Sequence, residues 1–99
     1  MTAAESFHAD MLGSVDASKR LNPPYYPTAF LVMVKRHGGV QAVKRLLAAP
    51  LAEGFTTLAY LHGRPDMTAE AFVLKSEYRE LFTDEERAIA AARLGRQAS

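Results

Sequence analysis

Three histidines, His8, His37 and His62, are the side chains best suited to move a proton or hold a metal near neutral pH. Their spacing supports neither role. No pair stands at i, i+4 with a glutamate between, the register that puts two imidazoles and a base on one face of a zinc-protease helix. The acids beside His8, Glu5 and Asp10, have no such register, and His37 falls where a cation eases the end of a helix. The serines Ser6, Ser14, Ser18, Ser76 and Ser99 include no Gly-x-Ser-x-Gly elbow, and no glycine-rich phosphate loop carries its lysine. The carboxylate pairs Glu85/Glu86 and Glu77/Glu80 belong to helix starts and exposed faces. Zero cysteines remove thiolate metal sites, redox motifs and a cysteine nucleophile. A hydrolase pairing of His62 with Asp66 would need a concave pocket with both side chains in reach. The expectation is therefore a protein without catalytic machinery, cofactor or metal.

The cations form a pattern of their own. Lys19/Arg20, Lys35/Arg36 and Lys44/Arg45 are doublets, and with Arg64 they set seven positive charges against four acids in residues 1–64, a net +3. The remaining 35 residues hold five cations and seven acids, a net −2. Such polarity suits a basic face turned toward nucleic acid or an acidic partner. The stretch from Val34 through Lys35-Arg36-His37-Gly38-Gly39 to Val40, Val43 and Leu46 looks like the first part of a helix-turn-helix. Thr56, Thr57, Tyr60, His62 and Arg64 would form the polar face of the recognition helix after it. On that reading Lys35, Arg36, Lys44, Arg45 and Arg64 contact nucleic acid. The plainer reading leaves them on solvated helix surface, where a cation in a last turn contributes ~0.3–1 kcal/mol. Tyr25 and Tyr26, adjacent phenols in a proline-framed loop, are the candidate contacts for a protein partner, because tyrosine joins apolar area to a hydroxyl. The plainer reading has one of the two rings staple the loop to the core.

Helices must position these residues. Thr2 and Glu5 make a capping box, and Phe7, Met11 and Val15 recur every four residues on one helical face that runs to Leu21. Asn22-Pro23-Pro24 ends it. Pro27 opens a second helix through Phe30, Leu31 and Val34, with Gly38 as its terminator. Val40, Val43, Leu46 and Leu47 mark a third, closed by Pro50, and Phe55, Leu58 and Leu61 a fourth, stopped by Gly63. Thr68 caps a segment through Leu74 in which the run 71–74 could by composition be a short strand, but no partner strand is in sight and helix is the expectation. Ser76 caps a single turn, and Thr83 with Glu86 opens a last helix that Gly95 stops.

The expected fold is all-α, one compact bundle of about six short helices over 1–99, with loops at 22–26 and 50–54 and a tail at 95–99. With 99 residues, 48% of them hydrophobic and 23% charged, the chain has the makings of a single core without disulfides. Its longest apolar runs, 29–34 and 71–74, are far short of the ~20 residues of a spanning helix. No secretory signal is visible at the N-terminus, so the expected location is cytoplasmic.

Tyr26-Pro27-Thr28 with Phe30 and Met33, then His37-Gly38-Gly39-Val40 with Ala42 and Arg45-Leu46-Leu47, then Gly54-Phe55-Thr56-Thr57-Leu58, form a recognisable pattern. It continues through Met67-Thr68, Glu70-Ala71, Val73-Leu74, Tyr78, Leu81-Phe82-Thr83 and Glu86. Over residues 7–94 this resembles a small helical module of bacterial proteins that occurs alone or attached to larger ones. The resemblance implies an all-helical fold and no assigned activity. Ala59-Tyr60-Leu61-His62 departs from it, standing where that module's pattern has an acid and aromatic pair. The functional expectation is a non-enzymatic helical module that binds a protein partner or a larger assembly, with helix-turn-helix-like nucleic-acid binding as the alternative.

Overall fold

A computed structural model describes residues 1–95, and its first helix, α1 (Ala3–Ser18), begins at the capping box. Thr2 Oγ1 accepts the Glu5 N–H at 3.1 Å, and Glu5 Oε1 accepts the Thr2 N–H at 2.9 Å. Phe7, Met11 and Val15 are buried, as their four-residue spacing dictates. The helix ends at Ser18, three residues before Leu21, because the chain folds back there. Tyr25 donates its N–H to the Ser18 carbonyl at 3.0 Å, and the Ser18 hydroxyl is shared between the carbonyls of Val15 and Tyr25.

Pro27 is the residue before α2 (Thr28–His37) rather than its first member. Gly38 joins α2 to α3 (Gly39–Ala48) with φ +85° and ψ 159°, a region essentially reserved for glycine. Its N–H closes α2 on Val34 at 2.9 Å, and its carbonyl accepts the Ala42 N–H at 3.0 Å to open α3. Gly39 then lets α3 lie directly on α1. Its N–H donates to His8 Nδ1 at 2.9 Å, and a Cβ there would stand 2.7 Å from His8 Cα.

The fourth helix differs from its expected form. α4 (Glu53–Thr56) starts inside the expected 50–54 loop and passes into a π-helical turn, Thr57–Leu61. The wider turn takes Leu61 off the apolar stripe: Phe55 is buried and Leu61 is 78% exposed. A 3-10 turn at Pro65–Met67 leads to α5 (Ala69–Val73), where Thr68 Oγ1 accepts the Ala71 N–H, so this segment is helix and not strand. Lys75, not Ser76, precedes the 3-10 turn Ser76–Leu81, and no side chain caps it. The second capping box, Thr83 with Glu86, opens α6 (Asp84–Arg93). Residues 96–99 of the expected tail lie outside the described residues.

The described residues form six α-helices and no strand, an all-α bundle. Its centre is Phe7, which meets Tyr78 and Phe82 edge-on at centroid distances of 5.0 and 5.1 Å. Met11, Val34, Val43, Leu47 and Val73 complete the core. The buried Tyr78 hydroxyl donates to the Asp10 carboxylate and lies 3.2 Å from Ser6 Oγ, fixing the second 3-10 turn to α1. No described helix is long and apolar enough to cross a membrane.

Two glycine substitutions should act with opposite sign. Gly39→Ala forces α1 and α3 apart at a backbone contact and should cost about 1–3 kcal/mol. Gly13→Ala, in α1 with nothing within 4 Å of the added methyl, should stabilise by about 0.5–1 kcal/mol. Denaturant unfolding followed by circular dichroism measures both.

Candidate functional site

The loop between α1 and α2 is tied down at two points. Ser18 holds the Tyr25 backbone, and the half-buried Tyr25 ring reaches across to α4, where a Cβ on Gly54 would stand 2.6 Å from the phenol oxygen. Burial, and secondarily the negative charge of Glu53, push the Tyr25 phenol above its ordinary pKa. Tyr25 is thus the ring that staples the loop. Its neighbour Tyr26 is 61% exposed.

Bridging the loop onto α4 leaves an apolar groove of about 580 Å³ underneath, a size that takes a small molecule or a large side chain. α1 contributes Ser14, Val15 and Ser18 to its walls, the loop and α2 contribute Tyr25 to Phe30 with Met33, and α3 contributes Leu46. The opposite side is Ala52, Gly54, Phe55, Leu58 and Met67 to Glu70. Most hydroxyls in these walls are already engaged. Ser14 donates to the Met67 carbonyl at 3.2 Å and Thr68 to the Pro65 carbonyl at 2.7 Å.

One wall residue is ionisable and buried. Glu70 is 2% exposed, and its Oε2 accepts from Arg93 Nη1 at 3.1 Å. The same guanidinium donates to the carbonyls of Leu46, Leu47 and Ala49 at 3.2, 3.4 and 2.7 Å, satisfying the end of α3. Sequence reasoning gave neither residue a role, although Glu70 stands in the pattern of the helical module. The available signals were an acid inside the apolar stretch Ala69–Leu74 and an arginine closing the alanine-rich run of the last helix.

Of the residues chosen from sequence, Tyr25 and Tyr26 come together at the groove. The five cations do not behave alike. Lys44 is half-buried, with Nζ 2.6 Å from Glu86 Oε1 and 5.3 Å from the Phe82 ring centre. Arg64 grips Asp66 through two bonds of 3.0 Å. Lys35, Arg36 and Arg45 are exposed and enter no ion pair among the described residues. The glycine corner between α2 and α3 is present, but the segment expected as a recognition helix is the short α4 with its π turn. Asp66 faces Arg64, and no hydrogen bond joins it to His62 among the described residues. His8 and His37 line a separate, more open hollow with Glu5, and His8 Nδ1 is occupied by Gly39.

Comparison of the chain with family models, with curated proteins and with solved structures finds no match.

The Lys44–Glu86 pair carries a pH signature. Burial raises the Glu86 pKa, but the Lys44 ammonium and the Thr83 cap outweigh it, so the net shift is below the ordinary 4.5. A carboxylate lowered on folding contributes stability above its unfolded pKa and loses it as pH falls through the folded value. Glu5, lowered by the backbone and side chain of Thr2, has the same sign. Lys44→Met should therefore cost about 1–2 kcal/mol at pH 7 and reduce the further loss below pH ~4.5. Urea titrations of both proteins from pH 7 to pH 3 test this.

Proposed function

We propose that the protein is a non-enzymatic, cytoplasmic binding module whose groove receives an apolar anchor from a protein partner. The observation that carries this reading is the groove itself, walled by five segments of the chain and rimmed by Tyr25 and Tyr26. Large apolar side chains left in solvent lie along the same part of the chain. Leu51 is 51%, Tyr60 69% and Leu61 78% exposed, and Tyr60 packs at 6.1 Å against Phe55 of the groove wall. Aromatic and aliphatic surface around a concave pocket is the composition of an interface centre. The internal engagement of Lys44 and Arg64 favours this over the nucleic-acid reading, which retains the exposed Lys35, Arg36 and Arg45.

Capture from an extract of the source cells tests the choice. The full chain should retain a protein partner. Ala29→Glu, at an exposed wall position, should lower its capture by at least about tenfold, because an unpaired charge would be desolvated in the groove. Neutralising Lys35, Arg36 and Arg45 together to Gln should leave it unchanged. Tight binding of duplex DNA or RNA that weakens steeply between two salt concentrations, abolished by the triple variant, would favour the alternative instead.

A further inference from the structure

The first amide of α3 is satisfied by a side chain from another helix. Gly38, which precedes α3, has no side chain to cap it, and the buried Gly39 N–H donates instead to His8 Nδ1 at 2.9 Å. A backbone amide can only donate, so Nδ1 must present its lone pair and the ring proton must sit on Nε2. The bond therefore belongs to neutral imidazole alone. An imidazolium carries a hydrogen on both nitrogens, which would turn a donor toward the Gly39 donor and leave a buried amide without an acceptor. It would also bring positive charge to the positive end of α3.

The half-buried ring lines an open hollow that it shares with Glu5 and His37, so protons from solvent reach it. Glu5, on α1 itself, is held ionised by Thr2 and attracts a charged ring. Its Oε1 is committed to the Thr2 N–H and does not replace the acceptor that Gly39 would lose. His37, at the end of α2, opposes a second positive charge once it is itself protonated. α3 brings Gly39, Val40 and Gln41 to the hollow, none of them titratable.

We propose that His8 is a pH-sensitive clasp: neutral, it docks α1 onto the corner between α2 and α3, and protonated, it releases that corner. The opened chain takes up a proton that the docked one excludes. The contact is therefore at full strength above the ordinary imidazole range, about 6.5, and is lost as pH falls through it. Because α1, α2 and α3 all contribute walls to the groove, the clasp lies on the joint between its helices.

Nuclear magnetic resonance of the full chain from pH 8 to pH 5.5, with urea unfolding at the two ends, tests this. At pH 8 His8 should be the Nε2–H tautomer, and the Gly39 amide resonance should move with the same midpoint as the His8 ring. The folding constant should fall about three- to tenfold across the range, the worth of one hydrogen bond. Glu5 and Glu86 take up protons only at lower pH, so the fall belongs to histidine. His8→Asn, whose Oδ1 offers an acceptor in place of Nδ1 without titrating, should abolish the fall, whereas His37→Gln and His62→Gln should keep it. An Nδ1–H tautomer at pH 8, a wild-type folding constant unchanged across the range, or an equal fall in His8→Asn would overturn the clasp. If His8→Asn does not fold, the tautomer and the Gly39 amide of the unmodified chain decide alone.

Discussion

One guanidinium holds the end of α3, the start of α5 and the last turn of α6 in register. Arg93 donates to three carbonyls at and just beyond the C-terminal turn of α3 and to the carboxylate of Glu70. The carbonyls would otherwise be the unpaired ends of a helix in a crowded place, and the carboxylate would be a buried charge without a counterion. Both needs are met by the same side chain. Leu46 and Glu70, which Arg93 fixes through a backbone oxygen and a side-chain oxygen, both line the groove, so the shape of that space is set from the far end of the chain.

The other side of the groove depends on small residues and on a loop that is pinned rather than packed. Ser18 supplies hydrogen bonds to the Tyr25 backbone, and Gly54 supplies the absence of a side chain against which the Tyr25 ring rests. The loop consequently spans the space between α1 and α4 without filling it. The core around Phe7, Tyr78 and Phe82 is closed by comparison, so the molecule separates the aromatic contacts that hold it together from the apolar surface of the groove.

Features whose causes lie within a few residues were legible in the sequence. Both capping boxes, the glycine corner at Gly38 and the buried stripe Phe7, Met11 and Val15 are local rules of hydrogen bonding and periodicity. The π turn was not, because three-residue spacing of Phe55, Leu58 and Leu61 fits an α-helix equally well until packing chooses. The ion pairs were not either. Lys44 meets Glu86 across 42 positions and Arg93 meets Glu70 across 23, separations for which no periodicity predicts a partner. Tyr25 and Tyr26 were chosen for residue type and proline flanks, signals that say nothing of the groove both of them line. The cations, chosen by type and doublet spacing, divide according to partners that only the folded chain supplies.

Gly38 belongs to two helices at once, giving its amide to the last turn of α2 and its carbonyl to the first turn of α3. Fraying at either end therefore strips a bond from the other, and neither helix has an independent terminus at that corner. Residues 28–48 are in this sense one cooperative unit whose backbone amides would trade hydrogen for deuterium together, with His8 on α1 as its clasp to the remainder of the bundle.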